Sequence, residues 1–285
     1  MSMERREFLK SGASLGLAIA VGARPAWAAQ PKGARVQLIR HATLVVHYGG
    51  RTLLVDPMLS DPGAMPPITN SPNPRPNPLV PLPIPAEKCL ADIDAVLVTH
   101  THPDHWDPAA VKLVPKDAPL FIQPPDAGRM AEQGFTAARA IDTSTTWNGI
   151  TIARTDGQHG RGAVGKRLAP VSGFVLKGTG APTIYIAGDT VWCPDVESAL
   201  GAHRPDVIIV NAGAAQFLEG GPITMDAADV LQVCRAAPKA RVIAVHMEAI
   251  NHCVLTRAAL REAVSRSPQK ATVSIPADGE VLTLS

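Results

Sequence analysis

Short apolar runs alternate with more polar, helix-forming segments along most of the chain. The runs are rich in β-branched residues and too short for helices, so they predict strands. Strands are predicted in this way at residues 93–99, 151–155, 183–187 and 241–245. Helices are predicted at residues 107–114, 125–134, 226–236 and 257–265. This alternation is typical of sheets covered by helices, and the sequence therefore predicts an α/β (α+β) domain.

Residues 57–85 break the alternation because they are crowded with proline and asparagine. Proline at this density excludes helix and interior strand. One interpretation is a linker between two domains. We favour another, a rigid extended loop that packs on the domain and forms one wall of a substrate pocket. The reason is that a strand resumes directly after the loop and no separate core precedes it.

Residues 100–105 read His-Thr-His-Pro-Asp-His and directly follow the first of the predicted strands. Because side chains alternate along a strand, His100 and His102 are expected on the same side as the chain leaves the sheet. The intervening proline suits the first turn of a helix, so Asp104 and His105 are predicted to open a short helix. Two such pairs suit two metal ions. Imidazole with carboxylate favours zinc or another borderline first-row metal over calcium or magnesium.

The pattern His-x-His-x-Asp-His resembles the signature of the metallo-β-lactamase-fold hydrolases. Further polar residues follow the later predicted strands, as in that family: His159, Asp189 and His246. The resemblance implies one metal on His100, His102 and His159, a second on Asp104, His105 and His246, and Asp189 as the bridge between them. It also implies a four-layer αββα sandwich and two divalent metal ions, with Zn²⁺ favoured and Mn²⁺ or Fe as alternatives.

Residues 36–57 predict two strands, a tight turn at Gly49-Gly50 and a third strand. This opening is similar to that of the branch of the superfamily that includes ascorbate-6-phosphate lactonase. The resemblance to the superfamily covers nearly the whole chain after residue 28. We therefore expect residues 29–285 to form a single catalytic domain of the metallo-β-lactamase type.

A pair of divalent cations that share a water lowers its pKa to about 7, which supplies hydroxide without a protein nucleophile. The sequence therefore predicts a hydrolase that uses a metal-bound hydroxide on a small ester, lactone or phosphoester. Asp104 is predicted to orient the attacking water. His252 is the nearest candidate in sequence for donating a proton to the leaving group, and the alternative is a supporting or surface histidine. We interpret His41 as structural, because histidines on strands commonly are.

Three other functions are open at this point. Asp189 stands where true metallo-β-lactamases have cysteine or serine, which disfavours a β-lactamase without excluding it. A di-iron oxidoreductase on the same fold is the alternative from another class, but those enzymes usually carry a flavin domain for which the chain has no room. A metal-binding protein without turnover is disfavoured by the complete ligand set. Specificity residues are expected on the proline-rich loop and at residues 160–169 and 211–224.

Residues 4–10, Glu-Arg-Arg-Glu-Phe-Leu-Lys, resemble the twin-arginine export motif. A mildly apolar stretch at residues 13–23 follows, and Ala26-Trp27-Ala28 offers a small-x-small cleavage site. The stretch is too short to span a bilayer. Residues 1–28 are therefore predicted to be a signal peptide, recognised by the twin-arginine export machinery and removed. The mature protein is expected to be periplasmic or secreted, without a stable membrane anchor.

The chain contains 27 basic and 25 acidic residues, and the predicted signal peptide takes four basic and two acidic ones with it. The remaining chain has no net charge, which does not favour a nucleic acid as partner or substrate. The four cysteines form no Cys-x-x-Cys pair and lie too far apart to suggest a disulfide framework: Cys89, Cys193, Cys234 and Cys253. Twin-arginine substrates fold in the reducing cytosol, so folding should not depend on disulfides.

Overall fold

Two β-sheets form the centre of the protein, and the computed structural model describes them within residues 33–284. The predicted signal peptide at residues 1–28 lies outside this range. The strands of the first sheet are β1 (Ala34–Arg40), β2 (Thr43–Tyr48), β3 (Arg51–Val55), β4 (Ala95–Val98), β5 (Leu120–Ile122), β6 (Ala138–Ala140) and β14 (Val281–Leu284). Those of the second are β7 (Ser144–Trp147), β8 (Ile150–Asp156), β9 (Ser172–Gly178), β10 (Ile184–Ile186), β11 (Val207–Asn211), β12 (Arg241–Val245) and β13 (Val273–Ser274).

Helices connect many of these strands. Within residues 33–284 they are α1 (Ala86–Leu90), α2 (Pro108–Leu113), α3 (Ala127–Glu132), α4 (Gly162–Leu168), α5 (Pro194–His203), α6 (Ala227–Ala236) and α7 (Arg257–Ser265). Short 3-10 turns at Pro124–Asp126 and Pro268–Thr272 complete the set. In this described part of the chain, none of the helices combines the length and the apolar character that crossing a membrane requires.

The strand order is β14-β1-β2-β3-β4-β5-β6 in the first sheet and β13-β12-β11-β10-β9-β8-β7 in the second. Strands β3 to β6 are parallel, and so are β10 to β13. Parallel neighbours deliver their carboxyl ends to the same edge of a sheet, which is where ligands bind in such folds. This arrangement places the ends of several strands around one region.

The two sheets pack face to face and enclose the main hydrophobic core, which includes Leu38, Leu97, Phe174 and Ile209. The outer face of the first sheet is covered through a second cluster by α2 and α3, with Trp106 at its centre. The outer face of the second sheet is covered by α5, α6 and α7. The layers are therefore helix, sheet, sheet, helix, and the predicted four-layer αββα sandwich is confirmed.

The predicted elements are largely confirmed, with one helix start corrected. The structure contains the strands predicted at residues 93–99, 151–155, 183–187 and 241–245, and it ends the first of them at Val98. A helix opening at Asp104 was wrong, because the backbone N–H groups of His105 and Trp106 both donate to the carbonyl of His102 and close a turn. Helix α2 begins only at Pro108.

The start of α2 is fixed by Asp107, whose carboxylate accepts a hydrogen bond from the backbone N–H of Ala110 at 2.7 Å. This is the N-cap arrangement, in which a side-chain oxygen satisfies a free N–H of the first turn. The other carboxylate oxygen accepts from the backbone N–H of Ser60 at 2.6 Å. Asp107 therefore ties the proline-rich loop to the helix that follows the His-rich segment.

The proline-rich loop packs on the domain, as predicted. Its backbone pairs with itself between Met65 and Asn77, and the N–H of Leu79 donates to the carbonyl of Ala249 at 2.8 Å. The buried Arg40 guanidinium donates to the carbonyl oxygens of Met58 and Ser60 at 2.7 and 2.9 Å. The loop is therefore held from three sides without regular secondary structure, and the linker interpretation is wrong.

Candidate metal centre

Polar side chains follow the carboxyl ends of six strands and lie together at one edge of the sandwich. They are His41 after β1, Asp56 after β3, residues 100–105 after β4, His159 after β8, Asp189 after β10 and His246 after β12. All seven residues expected as metal ligands are in this group. The strands are buried and apolar, so the sheet fixes where each polar residue emerges.

Three histidines form the first half of the site. The His100 Nε2 and His102 Nδ1 atoms are 2.9 Å apart. The ring of His159 lies 5.6 Å from that of His100 and 5.2 Å from that of His102, centroid to centroid. Each residue offers one nitrogen, and the three nitrogens lie within 4.8 Å of one another. This spacing lets them bind one cation together.

Asp104, His105 and His246 form the second half. The Nε2 atoms of His105 and His246 are 3.3 Å apart, and the Asp104 Oδ2 atom lies 3.8 and 3.5 Å from them. His41 joins this group, because its Nε2 atom is 3.1 Å from the same oxygen of Asp104. A second cation therefore finds three or four donor atoms directed at one point.

Asp189 lies between the two halves. Its Oδ2 atom is 3.4 Å from His159 Nε2 and 3.9 Å from His100 Nε2, in the first half. The same oxygen is 3.3 Å from His105 Nε2, and the Oδ1 atom is 3.3 Å from His246 Nε2, in the second half. One carboxylate thus faces both groups of histidines, as a bridging ligand must.

The backbone before Asp189 requires glycine. Gly188 has a φ of +69°, and a Cβ atom at this position would lie 2.4 Å from the carbonyl oxygen of Ser172. No side chain fits at that distance, and the left-handed conformation is unfavourable for other residues. Gly188 therefore lets β10 turn sharply enough to direct Asp189 into the site.

The hydrogen bonding of His159 orients its ring for a cation. Its Nδ1 atom is 2.9 Å from the carbonyl oxygen of Ile223, which can only accept, so Nδ1 is the donor. The Nε2 atom of the same ring is thereby directed at the Asp189 Oδ2 atom, 3.4 Å away. A cation between this nitrogen and the carboxylate would be bound by both, while the Ile223 carbonyl fixes the orientation of the ring.

The electrostatics of the site lead to the same result. Burial alone would raise the pKa of Asp104, but His105, His246 and His41 together lower it well below its usual range. The pKa of Asp189 is lowered in the same way. Burial lowers the pKa of His105, yet the carboxylates of Asp189, Asp104 and Asp56 outweigh it and raise that pKa well above its usual value. The two carboxylates are therefore ionised and favour a cation beside them, whereas burial lowers the pKa of His100 and keeps that ring in the neutral form that binds metals.

Two further residues orient the expected ligands, and the sequence analysis did not identify them. Asp56 accepts from the His105 Nδ1 at 2.8 Å and from the backbone N–H and hydroxyl of Thr99, both at 2.7 Å. Asn211 donates its side-chain amide to the Asp189 Oδ1 at 2.7 Å. Supporting hydrogen bonds of this kind fix the orientation of metal ligands and raise their affinity. Both residues stand at the end of an apolar strand, which is the signal that could have revealed them.

His41 was interpreted as structural, and the structure places it inside the site. Its ring is fully buried, and it lies 3.5 Å from the ring of His246, centroid to centroid. Its carbonyl oxygen accepts from the backbone N–H of His246 at 2.9 Å. Both residues have left-handed backbone conformations, with φ of 60° and 68°. Strained backbone of this kind is common at functional sites.

His252 lies at the margin of the site. It is 3% exposed, and its Nδ1 atom has no hydrogen-bond partner among the described residues. Burial lowers its pKa to about 4, although the carboxylates of Asp104 and Asp189 oppose this shift. The imidazole is therefore neutral at neutral pH. Its assignment as the proton donor stays a prediction.

None of the four cysteines forms a disulfide, as expected from their spacing. The Cys253 Sγ atom is 3.6 Å from the His246 Nδ1. Burial raises the pKa of the Cys253 thiol well above its usual value, so it remains protonated. The thiol therefore contacts the ring of His246 from the side of Nδ1.

A cavity of about 450 Å³ opens beside Asp104. The proline-rich loop supplies most of its wall, including Met65 and Ile68, and Ile250 closes the other side. The structure therefore places the loop beside the predicted ligands, where the sequence analysis expected a wall of the substrate pocket.

Comparison with known proteins agrees with this geometry. The family model described as "Beta-lactamase superfamily domain" matches residues 51–247. The "UPF0173 protein YddR" of Bacillus subtilis is 37% identical over 253 residues, which are 86% of this chain and 98% of that protein. Both matches include the segments that carry the candidate ligands.

Two solved structures are similar over most of the chain. One is an isothiocyanate hydrolase from Delia radicum gut bacteria, with a TM-score of 0.83 and 41% identity over 88% of this chain and 99% of that one. The other is "a possible metal-dependent hydrolase" from Veillonella parvula, with a TM-score of 0.85 and 36% identity over 88% of this chain and 100% of that one. The chain therefore belongs to the metallo-β-lactamase-fold superfamily, in the family of the β-lactamase superfamily domain, and it is a metal-dependent hydrolase.

Proposed function

We propose that this protein is a dinuclear hydrolase that adds water to the central carbon of an organic isothiocyanate. The position of Asp189 between two groups of histidines carries the proposal, because it supports two cations held on either side of one carboxylate. The substrate class is supported by the isothiocyanate hydrolase that is 41% identical to this chain. Small esters and lactones are the second candidate class, since the opening at residues 36–57 resembles the lactonase branch.

The metal ligands in this proposal are those expected from the sequence. His100, His102 and His159 would hold one ion, Asp104, His105 and His246 would hold the other, and the Asp189 carboxylate would be shared between them. When bound, two divalent cations would lower the pKa of a shared water to about 7 and polarise the substrate. Zinc suits the imidazole-rich set best, with manganese or iron as alternatives.

The proposed reaction forms a C–O bond, breaks the C–N bond and needs two proton transfers, which the side chains assist. Water attacks the carbon of R–N=C=S, a C–O bond forms, and the C=N electron pair moves to nitrogen, which takes a proton. Cleavage of the C–N bond with a second proton transfer then releases the amine R–NH₂ and carbonyl sulfide. Asp104 orients the attacking water. The neutral His252 passes a proton to the nitrogen by accepting on one ring nitrogen and donating from the other.

Phosphoesters, which the sequence analysis left open, are less suited to the site. The Arg161 guanidinium is paired with the carboxylate of Asp229 at 2.9 Å. The Arg167 guanidinium lies over the ring of Phe217, 5.7 Å from its centroid. Both guanidinium groups are therefore engaged with other protein groups.

The test is turnover by the metal-loaded protein, with n-butyl isothiocyanate, p-nitrophenyl acetate, γ-butyrolactone and bis-p-nitrophenyl phosphate as substrates. We expect equal amounts of butylamine and carbonyl sulfide, and loss of that activity in Asp104→Asn. Asp156→Asn, which changes an exposed aspartate at the end of β8, is the matched control. Turnover of the esters alone would move the function to the second class, and turnover of none of the four would refute it.

The same preparation tests the two other enzyme classes that the sequence left open. A di-iron oxidoreductase would contain iron and absorb visible light, whereas a zinc enzyme is colourless. A true metallo-β-lactamase would hydrolyse nitrocefin. We expect zinc on elemental analysis and no cleavage of the β-lactam.

We also propose that the protein is exported by the twin-arginine machinery and works in the periplasm or outside the cell. The support is the sequence of residues 4–10 and the Ala26-Trp27-Ala28 cleavage site. Replacing Arg5 and Arg6 by lysine should leave the precursor in the cytosol, and the exported wild-type protein should begin at residue 29. Unchanged export of the double variant would contradict this route.

A further inference from the structure

The cavity beside Asp104 has a wall of uniform chemistry. Four proline rings line it together with Met65, Ile68 and Ile250, and Met65 and Ile250 belong to one buried apolar cluster. Among the described residues that line the cavity, Asp104 alone carries a charge. A volume of about 450 Å³ is in the range of small-molecule sites. The wall is therefore suited to an apolar group of several carbon atoms.

The Asn77 side chain in the wall is already satisfied by the protein. The Asn77 side-chain amide donates to the Asn251 Oδ1 at 2.8 Å, and its oxygen accepts from the Asn251 backbone N–H at 2.9 Å. The Asn251 side chain also bonds both the N–H and the carbonyl of Ile68, at 3.0 and 3.1 Å. A ligand in the cavity therefore finds the side-chain amides of Asn77 and Asn251 already engaged, and a polar or charged group would lose its hydration beside the proline, methionine and isoleucine side chains.

Hydrogen bonds within the proline-rich loop hold the cavity in shape before a ligand binds. The backbone of Met65 is paired with that of Asn77 by two hydrogen bonds of 2.7 and 2.8 Å. The prolines fix their own φ angles, so little conformational freedom is lost when a ligand binds. The wall therefore has the rigidity that selection of a substituent by size requires.

We propose that this cavity binds the uncharged apolar substituent of the substrate and places the reacting carbon at Asp104. The proposal rests on the hydrolase function proposed above and specifies its substrate class. The substrate is an electrophile with an alkyl or arylalkyl substituent of several carbons, and its distal end carries neither phosphate nor carboxylate.

The first arm of the test measures kcat/KM for methyl, butyl and hexyl isothiocyanate and for 6-isothiocyanatohexanoate. Burial of a methylene group corresponds to about fourfold in binding, so butyl should exceed methyl by about sixtyfold. The hexanoate should fall well below hexyl isothiocyanate. A flat series, or a hexanoate that equals the hexyl compound, would overturn the proposal.

Two variants test the position of the substituent. Ile68→Trp fills the cavity, so the ratio of kcat/KM for hexyl over methyl isothiocyanate should fall towards one. Ala64→Trp adds the same side chain to the exposed face of the same loop and should keep the wild-type ratio. An unchanged ratio in Ile68→Trp would place the substituent elsewhere.

The second arm does not depend on turnover. The metal-loaded full chain, with ¹³C-labelled isoleucine δ-methyl groups, is titrated with N-hexylacetamide and with 6-acetamidohexanoate. The amide should shift the methyl resonances of Ile68 and Ile250, and the carboxylate should not. Shifts without isothiocyanate hydrolysis would refute the proposed reaction and retain the cavity. Absence of shifts with N-hexylacetamide would refute the cavity's role whatever the protein hydrolyses.

Discussion

Replacing Asp189 with asparagine should damage the site more than any other change of a single non-histidine residue. The carboxylate oxygens lie 3.3 to 3.4 Å from nitrogens of His105, His159 and His246, which belong to both halves of the centre. Asparagine keeps the shape but removes the negative charge that offsets two dications. It also presents an NH₂ group where an acceptor is needed.

The size of the effect follows from the distances. Unit charges about 4 Å apart interact by about 4 kcal/mol at an effective dielectric constant of about 20. A loss of that size corresponds to about a thousandfold in metal affinity for the weaker of the two ions. Bound metal should therefore drop from two ions per chain towards one. Hydrolysis should fall by at least about a hundredfold, the upper end of what disrupted support of a metal site produces.

The assay is metal content after dialysis, measured by elemental analysis, together with kcat/KM on the substrate that the turnover screen identifies. Asp156→Asn is the control, since it removes a carboxylate from an exposed position at the end of β8. Asp189→Glu separates charge from geometry, because it retains the charge and should recover part of the bound metal. Full activity with two metals in Asp189→Asn would refute the bridging role.

Three further outcomes follow from the structure. His41→Gln should weaken metal retention by about ten- to a hundredfold, because it removes the contact to Asp104, whereas His47→Gln on β2 should not; equal retention in both would return His41 to a structural role. Gly188→Ala should lower the melting temperature and the activity, because its Cβ atom has no space and its φ is left-handed. Gly201→Ala, in α5 with open space around it, should be neutral or stabilising; the reverse order would contradict the steric argument. Chelation should abolish hydrolysis and lower the melting temperature, and added zinc should restore both, whereas activity that survives chelation would exclude a metal-dependent mechanism.

The seven expected ligands could be found in the sequence because each follows a strand that is itself easy to recognise. Four of them lie within residues 100–105, and the rest come one at a time after β8, β10 and β12. A buried parallel strand is a continuous apolar run, and a polar residue at its end stands out against it. The sequence therefore predicted which residues lie at the site, and the distances between them became visible only in the structure.

The supporting residues were harder to predict because their partners come from other strands. Asp56 follows β3 and bonds His105 after β4, and His41 follows β1 and contacts Asp104. Nothing near these residues in the sequence indicates that β1, β3 and β4 end at the same edge of the sheet. That information lies in the strand order of the first sheet, which a reading of single segments does not contain.

One helix start was predicted wrongly, although those at residues 107, 226 and 257 agree with the structure to within one residue. A proline was taken as the start of a helix at residues 103–105, yet the helix begins at the next proline, Pro108. The difference lies in Asp107. Its side chain caps the helix, and Pro108 directly after it supplies the fixed φ of the first turn. Helix α5 was not predicted at all, although it begins with Pro194 and has acidic residues in its first turn.

The strands and the proline-rich loop have different roles: the strands position the candidate metal ligands, and the loop forms the wall of the cavity. The metal centre is built at strand ends, where a sheet holds side chains to the tolerance that coordination requires. The cavity is built on a loop, and loops ordinarily hold side chains less precisely than sheets do. Here the prolines and the hydrogen bonds between Asn77 and Asn251 restrict the backbone. Substitutions in the loop can therefore change which substituent fits while the metal ligands stay in place. A family with one catalytic centre could thereby act on many apolar electrophiles, and the preference of each member should follow the side chains at positions such as Ile68.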